Sequence, residues 1–408
     1  MKKCSKWFLV AMFAFCLGLL PQAQSEAADK VSSIRQTGAD RTSVTVEANS
    51  VLGASGYCLQ LSEDNVNWTT MQKTTSTTIR ASSLSSGHSY YARVCLYDAN
   101  KAEILGSESP AIEVVTAPSA TGSGTVKAVQ QSATQTGFSA AITGVSGANW
   151  CRITYNNQVI GEGSPSNTAI NSTLNAGTRY WCDVIACRRS STGFVATGAY
   201  DYIYLKTLSP AINSSNFGAS YVSPVSNSAS FSASNSGHYT DGFDWQFATP
   251  KGKVKRTQSV TTSYSTTCTI NVSNFIKGGF YKYRVRTFVN CGTNRVYSDW
   301  SPYRTIACPK KISAKLIKKT RAVKVSWSKD NYASKYDILI STKENSGFKK
   351  VKTVKSRSIT ISKCGKKKLK KNTKYYVRII PKAKIGKKLT KAEVYMIQSF
   401  TIGSSIVY

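Results

Sequence analysis

The sequence predicts an all-β chain of four tandem antiparallel sandwiches, and three observations carry that reading. First, an apolar-x-x-(Gly or Asn)-x-x-Tyr pattern occurs four times: Leu84 to Tyr90 around Gly87, Leu174 to Tyr180 around Gly177, Phe275 to Tyr281 around Gly278, and Leu369 to Tyr375 around Asn372. The tyrosines lie 90, 101 and 94 residues apart. Second, Tyr57, Trp150, Phe243 and Tyr336 each open an alternating run, at intervals of 93, 93 and 93 residues. Third, the run after each pattern tyrosine alternates like a half-buried strand, as in Tyr375-Tyr-Val-Arg-Ile-Ile. A self-similar period of about one small domain is the mark of a repeat architecture.

The Gly or Asn three residues before each tyrosine suits a turn of positive φ, and the apolar residue before it can plug the core. A tyrosine that opens a strand after such a turn, its hydroxyl returned to nearby backbone, is the corner of an immunoglobulin-like sandwich.

The first 27 residues read as a signal peptide. Met1-Lys-Lys-Cys-Ser-Lys6 is positive, Trp7 to Leu20 is apolar but short for a membrane span, and Ala23, Ser25, Ala27 and Ala28 are small. No later run is apolar enough to span a bilayer. The expectation is a secreted protein, open to non-covalent retention at the cell surface. Of 11 cysteines, nine follow the signal peptide, an odd number that leaves one unpaired or bridging chains.

Four domains follow in order: residues 28–117, 118–208, 209–308 and 309–402. In the first, Tyr57, Leu59 and Leu61 share one strand face, so parity places Cys58 outward; on the corner strand it places Cys95 outward too. The two could bridge across one antiparallel pair. Pro118 to Gly124 has the composition of a flexible linker. In the second domain the same parity turns Cys151 and Cys187 outward, as a possible pair, and Cys182 inward. In the third, Lys282, Arg284 and Arg286 share the outer face, and Trp300 on the adjacent strand is expected to lie between Arg284 and Arg286 as a structural cation–π clasp. Cys268 and Cys291 both face inward and are a further candidate bridge. Cys308 has no obvious partner, and Cys364 is expected to be free.

The fourth domain changes in charge. Residues 309–408 hold 28 Lys and Arg against four Asp and Glu, out of a chain net of +34. Val323, Val325 and Trp327 still alternate with Lys324 and Ser326, so the charge is painted on a folded strand pattern.

Val-x-Val-x-Trp, then Tyr336-Asp-Ile-Leu-Ile-Ser, then Leu369-x-x-Asn-x-x-Tyr375-Tyr-Val-Arg resembles a fibronectin type III domain. The match is close for the fourth and first copies, fair for the third and weakest for the second; Ala48, Ala141 and Ser234 stand where the fourth copy has Trp327. The lysine-rich style is similar to such domains in secreted proteins of Gram-positive bacteria. The resemblance implies seven-stranded sandwiches and an extracellular binding or spacer role. It implies no ligand.

Catalysis is not expected. The chain has two histidines, His88 and His238, and none of the familiar nucleophile, zinc-protease or phosphate-loop motifs. Neither cofactor nor metal is expected. Two non-catalytic classes remain: an adhesion or spacer protein, expected as a monomeric rod, and a carbohydrate-binding accessory protein in which aromatics such as Trp68 and Trp181 stack on sugars. In a seven-stranded sandwich the turns after strands one, three and five share an end. In the fourth domain these carry Lys318, Lys319 and Arg321, then Lys343, then Lys363, Lys366, Lys367, Lys368, Lys370 and Lys371. The expectation is a cationic tip for an anionic cell-wall polymer, glycan or host or bacterial surface component. With 25 Lys and three Arg in this domain, bidentate reading of bases is not expected, nor specific nucleic-acid binding.

Overall fold

Alternating apolar residues build strands almost everywhere in this chain. The structure, a computed structural model, describes residues 29–119, 126–170, 173–223, 228–262, 265–273, 278–308, 311–393, 395–403 and 406–407. The signal peptide, residues 120–124 of the linker, Phe275 and the Cys308 side chain lie outside the described residues. Among the described residues, helix is confined to two 3-10 turns, Ser214–Asn216 and Lys318–Thr320.

The strands form pairs of antiparallel sheets. In the first repeat, Ile34–Ala39, Val44–Ala48 and Thr78–Ala81 make a three-stranded sheet, and Thr69–Thr74, Gly56–Ser62, Ser89–Tyr97 and Ile112–Val115 a four-stranded one. Val44, Val46 and Ile79 from the first meet Tyr57, Leu59, Tyr90, Ala92 and Val94 from the second in one core. The division into a three-stranded sheet and a larger one recurs three more times down the chain. These are tandem immunoglobulin-like sandwiches.

The corners form as their chemistry requires. Tyr90, Tyr180 and Tyr375 hydroxyls accept backbone N–H bonds from Ser85 (2.9 Å), Asn175 (2.7 Å) and Lys370 (2.8 Å), each five residues upstream. Gly87, Gly177, Gly278 and Asn372 all have positive φ, between 55° and 77°. Trp327 packs edge-on to Tyr336 at 5.2 Å in the fourth core. The third core instead centres on Trp245, ringed by Phe217, Phe231 and Tyr283.

Packing separates the chain into two units. One takes in the first repeat with Val145–Trp150 and Ala186–Ala199; the other takes in the remainder. In the first unit, Arg188 donates to Ser89 Oγ (2.9 Å) and to the Gly147 carbonyl (2.9 Å). Gly147 also lies so close to Gly87 that a Cβ on either would meet backbone within 3 Å. In the second unit, Lys206 pairs with Asp241 at 2.9 Å, and Arg304 with Glu393 at 2.6 Å. Phe280 and Ala307 of the third repeat pack on Ala383 and Ala392 of the fourth.

Several cysteine expectations need correction. Cys58 and Cys95 are not exposed: both are buried, in a cluster with Tyr97. The ring of Tyr97 lies over Gly56, which has no Cβ to exclude it, and so covers the sheet's outer face. Cys151 faces inward, not outward. It and Ile153 are fully buried, while Trp150 is half-buried under Arg189, whose guanidinium lies 4.6 Å from the indole centroid. The core parity of that strand starts one residue after the landmark. Cys187 is likewise buried. No disulfide joins Cys58 to Cys95, Cys151 to Cys187, or Cys268 to Cys291; all six are thiols, as are Cys182 and Cys364. Cys268 lies in the sandwich core, accepting from the Trp245 indole N–H at 3.4 Å. Cys291, at the far end of the 13-residue strand Gly279–Cys291, lies in a different cluster with Ala133 and Val289.

Candidate functional site

The lysine-bearing turns of the fourth repeat converge. Val323 pairs with Ile361, which brings the turn at Lys318–Arg321 beside Lys363. Arg321 reverses the chain in the left-handed region (φ 48°). The short hairpin Lys363–Cys364 and Lys367–Lys368 folds back until Gly365 lies against the Lys349 side chain, where a Cβ would come within 2.6 Å. Leu369 plugs the core beneath. Lys318, Lys319, Arg321, Lys343, Lys363, Lys366, Lys367, Lys368, Lys370 and Lys371 are all exposed. Among the described residues none of the ten is ion-paired; the fourth repeat's lysine pairs converge elsewhere, on Asp337. That carboxylate, 3% exposed, takes Lys382 at 2.8 Å, Lys350 at 3.5 Å and Lys391 at 3.6 Å. Burial pushes its pKa up, but hydrogen bonds from Lys382 and Thr353 and the nearby lysine charges win and hold it near about 2.

On the third repeat the predicted clasp is part of a longer ladder. Arg284 and Arg286 each lie 4.4 Å from the Trp300 ring centroid. Tyr297 stacks beyond Arg286 at 3.6 Å and Tyr303 beyond Arg284 at 4.6 Å. Gln246 and Asp244 accept from the two guanidinium groups, so the ladder is a filled structural surface.

A rule missed in the sequence emerges here. Three residues after the corner tyrosine, Arg93, Arg284 and Arg378 each cover an aromatic ring: Trp68 at 4.3 Å, Trp300 at 4.4 Å and Phe348 at 3.7 Å. Trp68 is thereby covered and half-buried. The second repeat has Asp183 at that position, hydrogen-bonded by Thr154 at 3.2 Å. There Arg179 covers Tyr204, 3.3 Å from its ring centroid, while Trp181, Tyr200 and Tyr202 stay open. Trp181, Tyr200, Tyr202 and Tyr204 are 48, 38, 44 and 43% exposed. Trp181 and Tyr202 lie nearly parallel, at 11° and 5.6 Å, and Tyr204 meets the indole edge-on at 4.4 Å. The signal was in the sequence, as three Arg and one Asp in register.

Near the buried thiols, the Cys58–Cys95 hydrogen bond and then burial push the Cys58 thiol above its ordinary range, while the same bond pulls Cys95 down.

No protein-family model matches the chain, and no curated protein matches it by sequence. Similar solved structures include the FN1–FN3 domains of chicken CNTN1, at 12% identity over 92% of this chain and 99% of that one, TM-score 0.18. A tetra-tandem repeat from the extending region of a large adhesion protein matches at 10% identity, over 90 and 98%, TM-score 0.24. The central fibronectin-III array of RIM-binding protein matches at 13%, over 69 and 98%, TM-score 0.18. With TM-scores this low, the fold assignment rests on the sheet topology and corner geometry. Among the described residues no helix is long and apolar enough to cross a membrane.

Proposed function

We propose that this is an exported, non-catalytic modular protein of four sandwich domains, with boundaries near Pro118, Ser209 and Pro309, that attaches to an anionic surface polymer through the lysine tip of its last domain. The observation that carries the reading is the convergence of ten exposed cationic side chains from three turns, all without ion pairs among the described residues. Summed charge at one end focuses potential outward and draws polyanions. Lysine ammonium groups act as hydrated point charges, which suits loose, sequence-independent attachment to phosphate- or carboxylate-bearing polymers. Within the second unit, the pairing of Arg304 with Glu393 favours a fixed joint between the third and fourth repeats.

Retention on purified cell walls tests this, with the full chain compared with a variant carrying Gln at Lys366, Lys367, Lys368, Lys370 and Lys371. Counterion release predicts strong retention at roughly 50 mM salt and loss by roughly 500 mM. The variant should bind weakly and with a shallower salt slope. Equal retention of both proteins would leave the lysines as a solubility device.

A second reading, carbohydrate binding, is favoured by the open aromatic strip at Trp181. Flat rings with polar edges suit the CH faces of sugars, and Tyr hydroxyls and Asp183 could bond hydroxyl groups. It predicts retention on neutral glycan that ignores salt and disappears in Trp181→Ala.

A further inference from the structure

The buried thiol pair of the first repeat is more than a packing feature. The strand register sets Cys58 opposite Cys95. A tight turn at Asp98, whose carboxylate accepts from the Asn100 and Ala102 N–H groups, swings Glu103 back over them. Glu103 bridges to Tyr97 in register, so its position is set by backbone. The two sulfurs and a carboxylate oxygen of Glu103 all lie within 4.8 Å of one another, with Cys58 Sγ 3.1 Å from Glu103 Oε1.

We propose that Cys58, Cys95 and Glu103 form a site for one borderline-soft divalent cation of the zinc class, with a water as fourth ligand. Two sulfurs exclude calcium and magnesium, which take oxygen donors, and favour zinc and its soft congeners. Tetrahedral bonds of about 2.3 Å to sulfur and 2.0–2.2 Å to oxygen need donors roughly 3.4–3.8 Å apart. The present spacing reaches that by small rotations of three side chains.

The surroundings are those of a ligand set. Thr70 Oγ1 donates to Glu103 Oε1 at 2.6 Å and Gln60 Nε2 to Oε2 at 2.7 Å, and Gln60 is itself fixed by Arg93 at 2.7 Å. Such outer partners aim a ligating carboxylate. Cys58 and Cys95 are 0 and 1% exposed, while the Glu103 side chain is 30% exposed and leaves a way in for the ion. On binding, each S–H bond breaks with its electron pair kept by sulfur, and two protons leave to solvent. Two thiolates and one carboxylate then carry one negative charge beyond the cation, and Lys73, 3.7 Å from Glu103, faces it.

The test uses the full chain, reduced, freed of metal and kept anaerobic, titrated with Co2+. The expected result is saturation at one equivalent, with a near-ultraviolet thiolate-to-cobalt band and the visible bands of tetrahedral cobalt, all bleached by Zn2+. Cys58→Ser should abolish the band and Cys364→Ser should leave it. Glu103→Gln, at the surface, keeps the test valid where a buried Ser variant unfolds: it should weaken Co2+ by at least about tenfold, and Gln60→Ala by about ten- to a hundredfold. Absence of the band, or its survival in both Cys58→Ser and Glu103→Gln, overturns the proposal. So does conversion of Cys58 and Cys95 to a disulfide on exposure to air at the same rate with and without Zn2+.

Discussion

At the residue scale, a few side chains hold each sandwich closed at its corner. Tyr375 is buried against Phe400, yet its hydroxyl still takes the Lys370 N–H at 2.8 Å. Tyr375→Phe keeps the ring and removes only that acceptor. It should cost about 1 kcal/mol in urea unfolding, the net worth of one hydrogen bond; an unchanged midpoint would show that water replaces the hydroxyl freely. The same bond recurs at Tyr90 and Tyr180.

At the scale of the strand, the outer face of each corner strand decides what its repeat can offer. Where Arg stands three residues after the corner tyrosine, an aromatic is covered; where Asp183 stands, Trp181, Tyr200 and Tyr202 are open and only Tyr204 is covered, by Arg179. The third repeat has the longest ladder, with Trp300 held between two guanidinium groups. Trp300→Ala should cost about 1–2 kcal/mol, from two contacts of about 0.5–1 kcal/mol each. Trp68→Ala, with its single Arg93 contact, should cost about half as much. Denaturant midpoints of the two variants check the ratio, and equal costs would assign both to lost apolar burial.

At the scale of the molecule, the contact between the third and fourth repeats contains a titratable weak point. Asn331 donates to the Gly278 carbonyl and accepts from Phe280 N–H, stitching the repeats together. Beside it Asp330 is fully buried, with neither carboxylate oxygen hydrogen-bonded among the described residues. Tyr281 and Tyr336 face it, and burial pushes its pKa up to about 7. Unfolded, the group titrates near 4, so between about pH 4 and pH 7 the folded chain keeps a proton that the unfolded chain releases. Stability from this group is therefore whole below about pH 4, falls as pH rises to about 7, and is flat above. Asp330→Asn should remove a loss of up to about 3 kcal/mol between about pH 5 and pH 8. Thermal unfolding of both proteins at the two pH values measures it; an unchanged pH dependence in the variant would mean that the carboxylate is solvated when folded.

The repeat period, the strand faces around each corner, and the lysine excess of the last repeat were legible in the sequence, because turn chemistry and period-two alternation are local. The lysine-bearing turns of the last repeat were assigned to one end by the same local logic, since loops fall at set ends once a strand order is assumed. What local pattern could not supply was the burial of outward faces. Cys58 and Cys95 read as exposed by parity, and only the return of Tyr97 and Glu103 over the sheet buries them. Trp150 shares the 93-residue spacing but not the core parity, because a one-residue shift exchanges strand faces without disturbing the period. Cys268 and Cys291 both read as inward by parity, yet the length of the strand ending at Cys291 carries it out of the third core into another cluster. Local pattern assigns a residue to a face; tertiary packing decides what covers that face, since the covering groups come from distant parts of the chain.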